Sequence, residues 1–396
     1  IRKRGYRVIA KIELPLDDEQ KASHSKWQGD SPFVGLSAFT PNEAAVFFGR
    51  SKQINTLLQR VSAQINYGRA FCLLLGSSGS GKSSLVNAGV LPALMSEAGF
   101  DGFRIESYCL LDFADVSKGR LFLDLASTLL DLEINDAPVL TNISADSLSE
   151  LLLSTPEQVI ERCQMALKQG QTTHIKPYLF LFIDRLEVLL SSPVFSEQER
   201  SQFLTIIELL ATSNCIIIFS ACRNDFYPQV VNQPSLMAGK ANGAHFDLLP
   251  PTRSELKQMI RLPALAAGLS WQLDPEHQTP LDEMLCNDTA NNPDALPMLQ
   301  YTLQQLYLQR SENDELLVSE YQALGGIEGA IGQKAEHVFT QLPKQQQAQL
   351  SLVLSKLITL HADGETLTSR AARWDELTTP AQTQLAQAMV DSRLFV

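Results

Sequence analysis

The chain has 396 residues, 44% of them hydrophobic and 19% charged, enough apolar mass for two or three packed domains and too much for wholesale disorder. With 32 Lys plus Arg against 44 Asp plus Glu the formal charge is -12, which excludes broad nonspecific nucleic-acid binding by the surface as a whole. The longest apolar runs, Tyr178–Ile183 and Cys215–Cys222, are far shorter than the ~20 residues that span a membrane.

Residues 1–11 (IRKRGYRVIAK) hold five basic and no acidic residues. Residues 14–31 are polar, with Trp27 the one large apolar side chain after Leu16, and read as a linker. From Ser31 the pattern becomes globular: Phe33, Leu36 and Phe39 lead to Phe47-Phe48-Gly49-Arg50, and Ile54, Leu57, Leu58 and Val61 recur at helical spacing. Short apolar runs then alternate with helical stretches. Ala70–Leu75, Phe103–Leu111, Tyr178–Ile183, Cys215–Ala221 and the weaker His245–Leu249 read as strands, and residues 117–170 as mostly helical. Near-continuous apolar strands separated by helices predict a parallel sheet covered on both faces. After Pro250-Pro251 the strand signals stop, and Ser254–Arg261, Leu296–Arg310 and Ala330–Leu342 read as helices, with a turn-rich interval at Ala362-Asp363-Gly364.

Cys72, Cys109, Cys163, Cys215, Cys222 and Cys286 form no CxxC pair and sit mostly among apolar residues, as expected of reduced core thiols in a cytoplasmic protein. The six His show no metal-ligand spacing. No initiator Met precedes Ile1 and the chain stops abruptly at Arg393-Leu394-Phe395-Val396, so we expect a piece of a longer protein.

The sharpest signal is Gly76-Ser77-Ser78-Gly79-Ser80-Gly81-Lys82-Ser83, which fits G-x-x-x-x-G-K-[ST] between a strand and a helix that opens through Ser84. The glycines let backbone N–H groups turn inward around phosphates, and the helix N-terminus adds positive potential. Lys82 would reach the β and γ oxygens and Ser83 would ligate Mg²⁺. The second metal ligand, an acid, is expected at the end of another buried strand, where Asp184 closes YLFLFI; a plain capping role is the alternative. Glu187, three residues on, could orient or deprotonate a water, or be a solvated carboxylate. Arg185 stands directly after Asp184, where many P-loop ATPases carry the catalytic Glu, so binding is better supported than fast turnover. Arg223, after the strand CIIIFSAC, could report a γ-phosphate or simply pair with Asp225. ATP or ADP with Mg²⁺ are thus the cofactors expected.

These segments together resemble the STAND-class NTPases, in particular the bacterial novel STAND subgroup. The resemblance rests on SPFVGL with FFGR, GSSGSGKSSLVNAGVLPAL, LFIDRLEVLL, IIFSACRNDFYP, LLPPTRSELKQMIRLPALAAGL, ALPMLQYTLQQLY, GGIEGAIGQKAEHVF and Met389–Val396, in the family's order. It implies an α/β P-loop NTPase core over 32–250, an all-α lid over 251–318 and a partial winged-helix module over 319–396. It also implies that Gly49 and Arg50 lie near the adenine and that Pro297 contacts the base from the lid, although Pro is favoured at the first helical position in any case. A second, shorter resemblance covers Arg4–Ala10, which looks like the last wing of an OmpR/PhoB-type winged-helix DNA-binding domain, with Arg2, Arg4 and Arg7 suited to phosphates; a basic surface strand or tail over residues 1–13 is the alternative. The family implies a nucleotide-dependent signalling switch that self-associates on ATP binding and answers an activating ligand or protein. With the wing stub, the implied output is transcription through DNA bound upstream of residue 1. An anti-phage defence sensor and an ATP-driven remodelling ATPase are the alternatives.

Overall fold

The computed structural model describes residues 27–395 apart from 117, 171–173, 291–294, 361–366, 370, 371, 373 and 393. The basic stub at 1–13, most of the 14–31 linker and the 362–364 turn lie outside the described residues.

Five parallel strands form the central sheet: β1 (Phe71–Gly76), β2 (Phe103–Asp112), β3 (Lys176–Asp184), β4 (Ile216–Arg223) and β5 (His245–Asp247), in the order β2-β3-β4-β1-β5. β1 is buried along its whole length, and β3 and β4 are buried at all but one terminal residue. Their strands therefore show no alternation of polar and apolar residues, as a doubly covered sheet requires. Edge strand β2 does alternate, and leaves Tyr108 and Leu110 exposed.

One sheet face packs Leu73, Leu75, Leu181, Ile183 and Ile218 against Leu121–Leu130, Ala145–Ser154, Pro156–Gly170 and Glu197–Thr212. The other packs Cys72, Leu74, Phe180, Phe182 and Phe219 against α1 (Ser51–Asn66) and the helix after the phosphate loop. That helix, α2, joins Lys82–Ser84, a π-wound Leu85–Val90 and Leu91–Met95. Between β2 and β3 the chain also forms a small hairpin, Glu133–Ile134 with Ala137–Pro138, which the polar sequence there does not announce.

Beyond the sheet, α3 (Arg253–Ala266), α4 (Leu281–Ala290) and α5 (Leu296–Leu308) build a separate apolar cluster around Ile260, Leu285, Leu299 and Leu303. α3 starts with a full capping box between Thr252 and Glu255. The expectation that strands end at Pro250 is corrected by two short pairs: Ser270–Trp271 with Glu315–Leu316, and Ile358–Leu360 with Leu367–Ser369. Strands of two or three residues carry too few side chains for a period of two to be read from sequence. The last part of the chain, including α6 (Gly326–Gln341), Leu350–Leu357 and Pro380–Asp391, has a small cluster of its own around Val353, Leu385 and Met389.

A strap before α1 ties these parts together. Phe33 is buried in the α3–α5 cluster, whereas Phe39, Val46 and Phe48 pack between Ala88 of α2 and Leu262 and Ala266 of α3. Gly35, at φ +66°, lies so close to Gln304 of α5 that a Cβ would fall 2.1 Å from its side-chain oxygen.

Candidate functional site

Parallel strands bring their C-terminal tips to one edge of the sheet. Register sets Gly76 beside Arg223, Asp112 beside Asp184 and Leu75 beside Asp247. The phosphate loop thus opens next to the metal acid proposed from sequence, at the edge where open α/β sheets place their ligands.

In the loop, Gly79 and Gly81 have φ of +71° and +89°, conformations that L side chains adopt at a cost of roughly 1–2 kcal/mol. Lys82 Nζ donates to the carbonyls of Gly76 (3.0 Å) and Ser77 (2.9 Å), so the ammonium bridges the mouth of the loop. Burial pulls the Lys82 pKa below its usual value, against the opposing pull of Glu187 and Asp184. Ser80 Oγ is buried and has no hydrogen-bond partner among the described residues. Its hydroxyl is a donor of the kind that a phosphate oxygen would take up. Ser78 and Gly79 are exposed at the crest. Ser84 Oγ accepts from Phe39 N–H (3.1 Å), so its hydroxyl is used to hold the strap.

Ser83 Oγ donates to Asp184 Oδ2 at 2.5 Å. A hydroxyl and a carboxylate side by side at the helix start are hard oxygen donors of the type Mg²⁺ prefers, and they fit that ion. Magnesium bound there would neutralise charge on the phosphates of a nucleotide. Asp184 Oδ1 accepts from Arg185 N–H (2.9 Å), and Arg185 is left-handed at φ +58°, turning the chain sharply from β3 into Leu186–Ser191. That turn carries Glu187 back under β4, where its Oε2 accepts from Arg223 N–H (3.1 Å). Burial raises the Glu187 carboxyl pKa above its ordinary value, with hydrogen bonds from its own backbone and from Arg223 N–H, and Lys82, opposing.

Of the residues read from sequence, Gly76 to Ser83, Asp184 and Glu187 lie together at this edge. The Arg223 side chain does not join them: its guanidinium makes two bonds to Asp225, at 3.0 and 2.5 Å, and that pairing raises its pKa. Arg50 is buried and donates to the carbonyls of Ser80 (3.3 Å) and Leu249 (3.2 Å), fastening the loop to the segment that leaves β5. Its burial lowers its pKa, with Glu255 opposing. A Cβ on Gly49 would lie 2.6 Å from the Glu255 carbonyl, which sets this turn against the first turn of α3. Pro297, near the start of α5, touches the crest of the loop: a Cβ on Gly79 would fall 2.8 Å from Pro297 Cγ.

Two features escaped the sequence reading. Asp112, at the tip of β2, faces Arg185 with Oδ2 3.2 Å from Nη2, and burial raises its carboxyl pKa. The expected strand stopped one residue short of it, at Leu111, although a single acid closing an apolar strand is the signal that marked Asp184. Phe33 and Gly35 are legible as apolar or small residues, but nothing local shows that they dock on α5.

Comparison with solved structures gives low similarity over most of the chain. Aeropyrum pernix ORC1 in complex with DNA matches at 15% identity and a TM-score of 0.48, covering 88% of this chain and 84% of that one. Aeropyrum pernix ORC2, in ADPNP–ADP complexes, matches at 12% identity and 0.48, covering 87% and 94%. Domain III of the Thermotoga maritima replication initiation protein DnaA matches at 15% and 0.41, covering 70% and 90%. No curated protein matches the chain. A family model described as Novel STAND NTPase 1 matches residues 32–396, all but the first 31 residues of the chain. With the phosphate loop and its acid brought together at the sheet edge, that match identifies the chain as a member of the Novel STAND NTPase 1 family.

Proposed function

We propose that this chain is a nucleotide-dependent switch that binds ATP or ADP with Mg²⁺ between the sheet edge and the α3–α5 helices, and hydrolyses ATP slowly. The supporting observation is the contact of Pro297 with Gly79: the helical part rests on the phosphate loop itself. A nucleotide that fills the loop therefore bears on the helices. Lys82 and the Ser80 hydroxyl would contact phosphate, Ser83 and Asp184 would hold the metal, and Glu187 would orient the attacking water. Gly49, Arg50 and Pro297 would frame the base. Arg223 would leave Asp225 to reach a γ-phosphate, since a half-exposed ion pair of this kind is worth only about 0–1 kcal/mol. Arg185 in place of an acid beside Asp184 favours a slow switch over a motor.

In this reading 32–250 is the NTPase core, 251–318 the lid and 319–396 a winged-helix-like module. Self-association on ATP binding, an activating ligand or protein, and transcriptional output through a DNA-binding domain upstream of residue 1 complete the proposal, in the cytoplasm as the buried thiols favour. Moving such a switch from mostly off to mostly on takes about 5.5 kcal/mol of differential binding. The test is hydrolysis by Glu187→Gln with nucleotide binding measured alongside. Retained binding with ATP trapped supports the assignment, and unchanged hydrolysis removes Glu187 from it. Turnover above about one per second would favour the remodelling ATPase.

A further inference from the structure

We propose that Asp112 is a positioning residue for the metal acid Asp184, acting through the side chain of Arg185. The proposal rests on the reading of Ser83 and Asp184 as magnesium ligands.

Asp112 and Asp184 are cross-strand partners at the tips of β2 and β3, and Phe113 N–H extends the ladder to the Asp184 carbonyl at 3.2 Å. Both Asp112 oxygens are engaged: Oδ1 accepts from Ala114 N–H at 2.9 Å, and Oδ2 faces Arg185 Nη2 at 3.2 Å. Arg185 is held at its other end by its own backbone, whose N–H donates to Asp184 Oδ1 at 2.9 Å. The remaining oxygen of Asp184, Oδ2, faces Ser83. A continuous chain thus runs from the Ala114 amide through Asp112, Arg185 and Asp184 to the hydroxyl at the start of α2.

The left-handed backbone at Arg185 explains the need for such a tether. Most side chains leave that conformation readily, and a rotation there would swing the N–H away from Asp184. Glycine or asparagine would hold it more cheaply, yet this chain has an arginine, whose guanidinium crosses to the neighbouring strand. The ion pair is partly exposed, so it contributes little to global stability, and its effect should appear at the acid it orients. Partners of metal ligands typically change metal affinity by about 10–100-fold when removed.

The experiment measures affinity for a fluorescent ATP analogue in Mg²⁺ and in EDTA, for the full chain and its variants. Asp112→Asn is expected to lose about tenfold of the affinity gained from Mg²⁺, with affinity in EDTA unchanged. Arg185→Gly keeps the left-handed backbone but removes the guanidinium, and should show the same loss. Arg185→Lys should recover part of it. Wild-type magnesium dependence in either Asp112→Asn or Arg185→Gly overturns the proposal, as does an equal loss of affinity in EDTA, which would mark a general structural role. A wild-type chain that binds nucleotide without any gain from Mg²⁺ overturns the metal reading itself, and this proposal with it.

Discussion

The sheet and the helices that follow it are stabilised in different ways. β1, β3 and β4 are sealed on both faces by large side chains, among them Phe71, Phe180, Phe182 and Phe219, each at most 1% exposed. By contrast α6, sixteen residues long, buries only Ile327 and Ala330, and the last cluster gathers four buried residues among the described residues. The helical part meets the phosphate loop through a proline laid on a glycine, and meets the strap through Phe33 and Gln304 and, at α3, through Phe39, Val46 and Phe48. The contacts at the sheet edge thus fall on the well-buried α3–α5 cluster, and the lightly packed part of the chain is its last helices. Low local contact density is where opening costs least.

The largest expected difference between the two regions is in the cost of core truncation. Phe180→Ala should cost about 3–5 kcal/mol in denaturant unfolding, whereas Leu385→Ala in the terminal cluster should cost about 2 kcal/mol and leave nucleotide binding intact. Equal costs would mean that the terminal cluster is packed as tightly as the sheet.

Next in size is Lys82→Ala. Nucleotide at a hundredfold excess over Kd should stabilise the wild type by about 2.7 kcal/mol, read as a raised Tm. The variant should lose that gain while its ligand-free fold persists, because burying the Lys82 ammonium is itself unfavourable. Survival of the gain would move the nucleotide site away from the loop.

The contact between the loop and α5 should have a smaller effect. Gly79→Ala should destabilise by about 1–2 kcal/mol, since it adds left-handed strain and a clash with Pro297. Pro297→Ala in that background should return the part due to the clash, and the double-mutant cycle measures the coupling. Additivity would show that the helices do not rest on the loop.

The smallest effect concerns pH. The Glu187 carboxyl has a raised pKa in the fold, so the folded state binds more protons than the unfolded one. Its contribution is present below the ordinary carboxylate pKa and is lost as pH rises through the raised value. Glu187→Gln should therefore raise Tm at pH 7, leave it unchanged near pH 4, and flatten the profile between. A Tm that falls at pH 7 would show that the charged form is stabilised by its surroundings.

Much of the sheet was legible because burial on both faces leaves a local signature. Runs such as YLFLFI can hardly be anything but central strands, and Gly79 and Gly81 of the loop are required by the backbone angles at the positions they occupy. The parallel sheet under helices, the phosphate loop, and Asp184 and Glu187 as neighbours of that loop followed from such local demands. What escaped was contact between distant segments. Arg50 goes to the carbonyls of Ser80 and Leu249, far along the chain, because side chains choose partners by space and desolvation, which spacing along the chain does not encode; the local Arg223–Asp225 pair was by contrast one of the two readings the sequence offered.

The chain order of apolar runs and glycines was enough to determine a nucleotide-binding loop set between strand and helix, since each of those residues answers a local steric or hydrophobic requirement. Only the tertiary structure decided that Asp112 shares an ion pair with Arg185, that Pro297 lies on Gly79, and that Phe33 joins the helical cluster. Those pairings depend on which strand tips and helix ends the right-handed crossovers bring together, and that is a property of the packed whole.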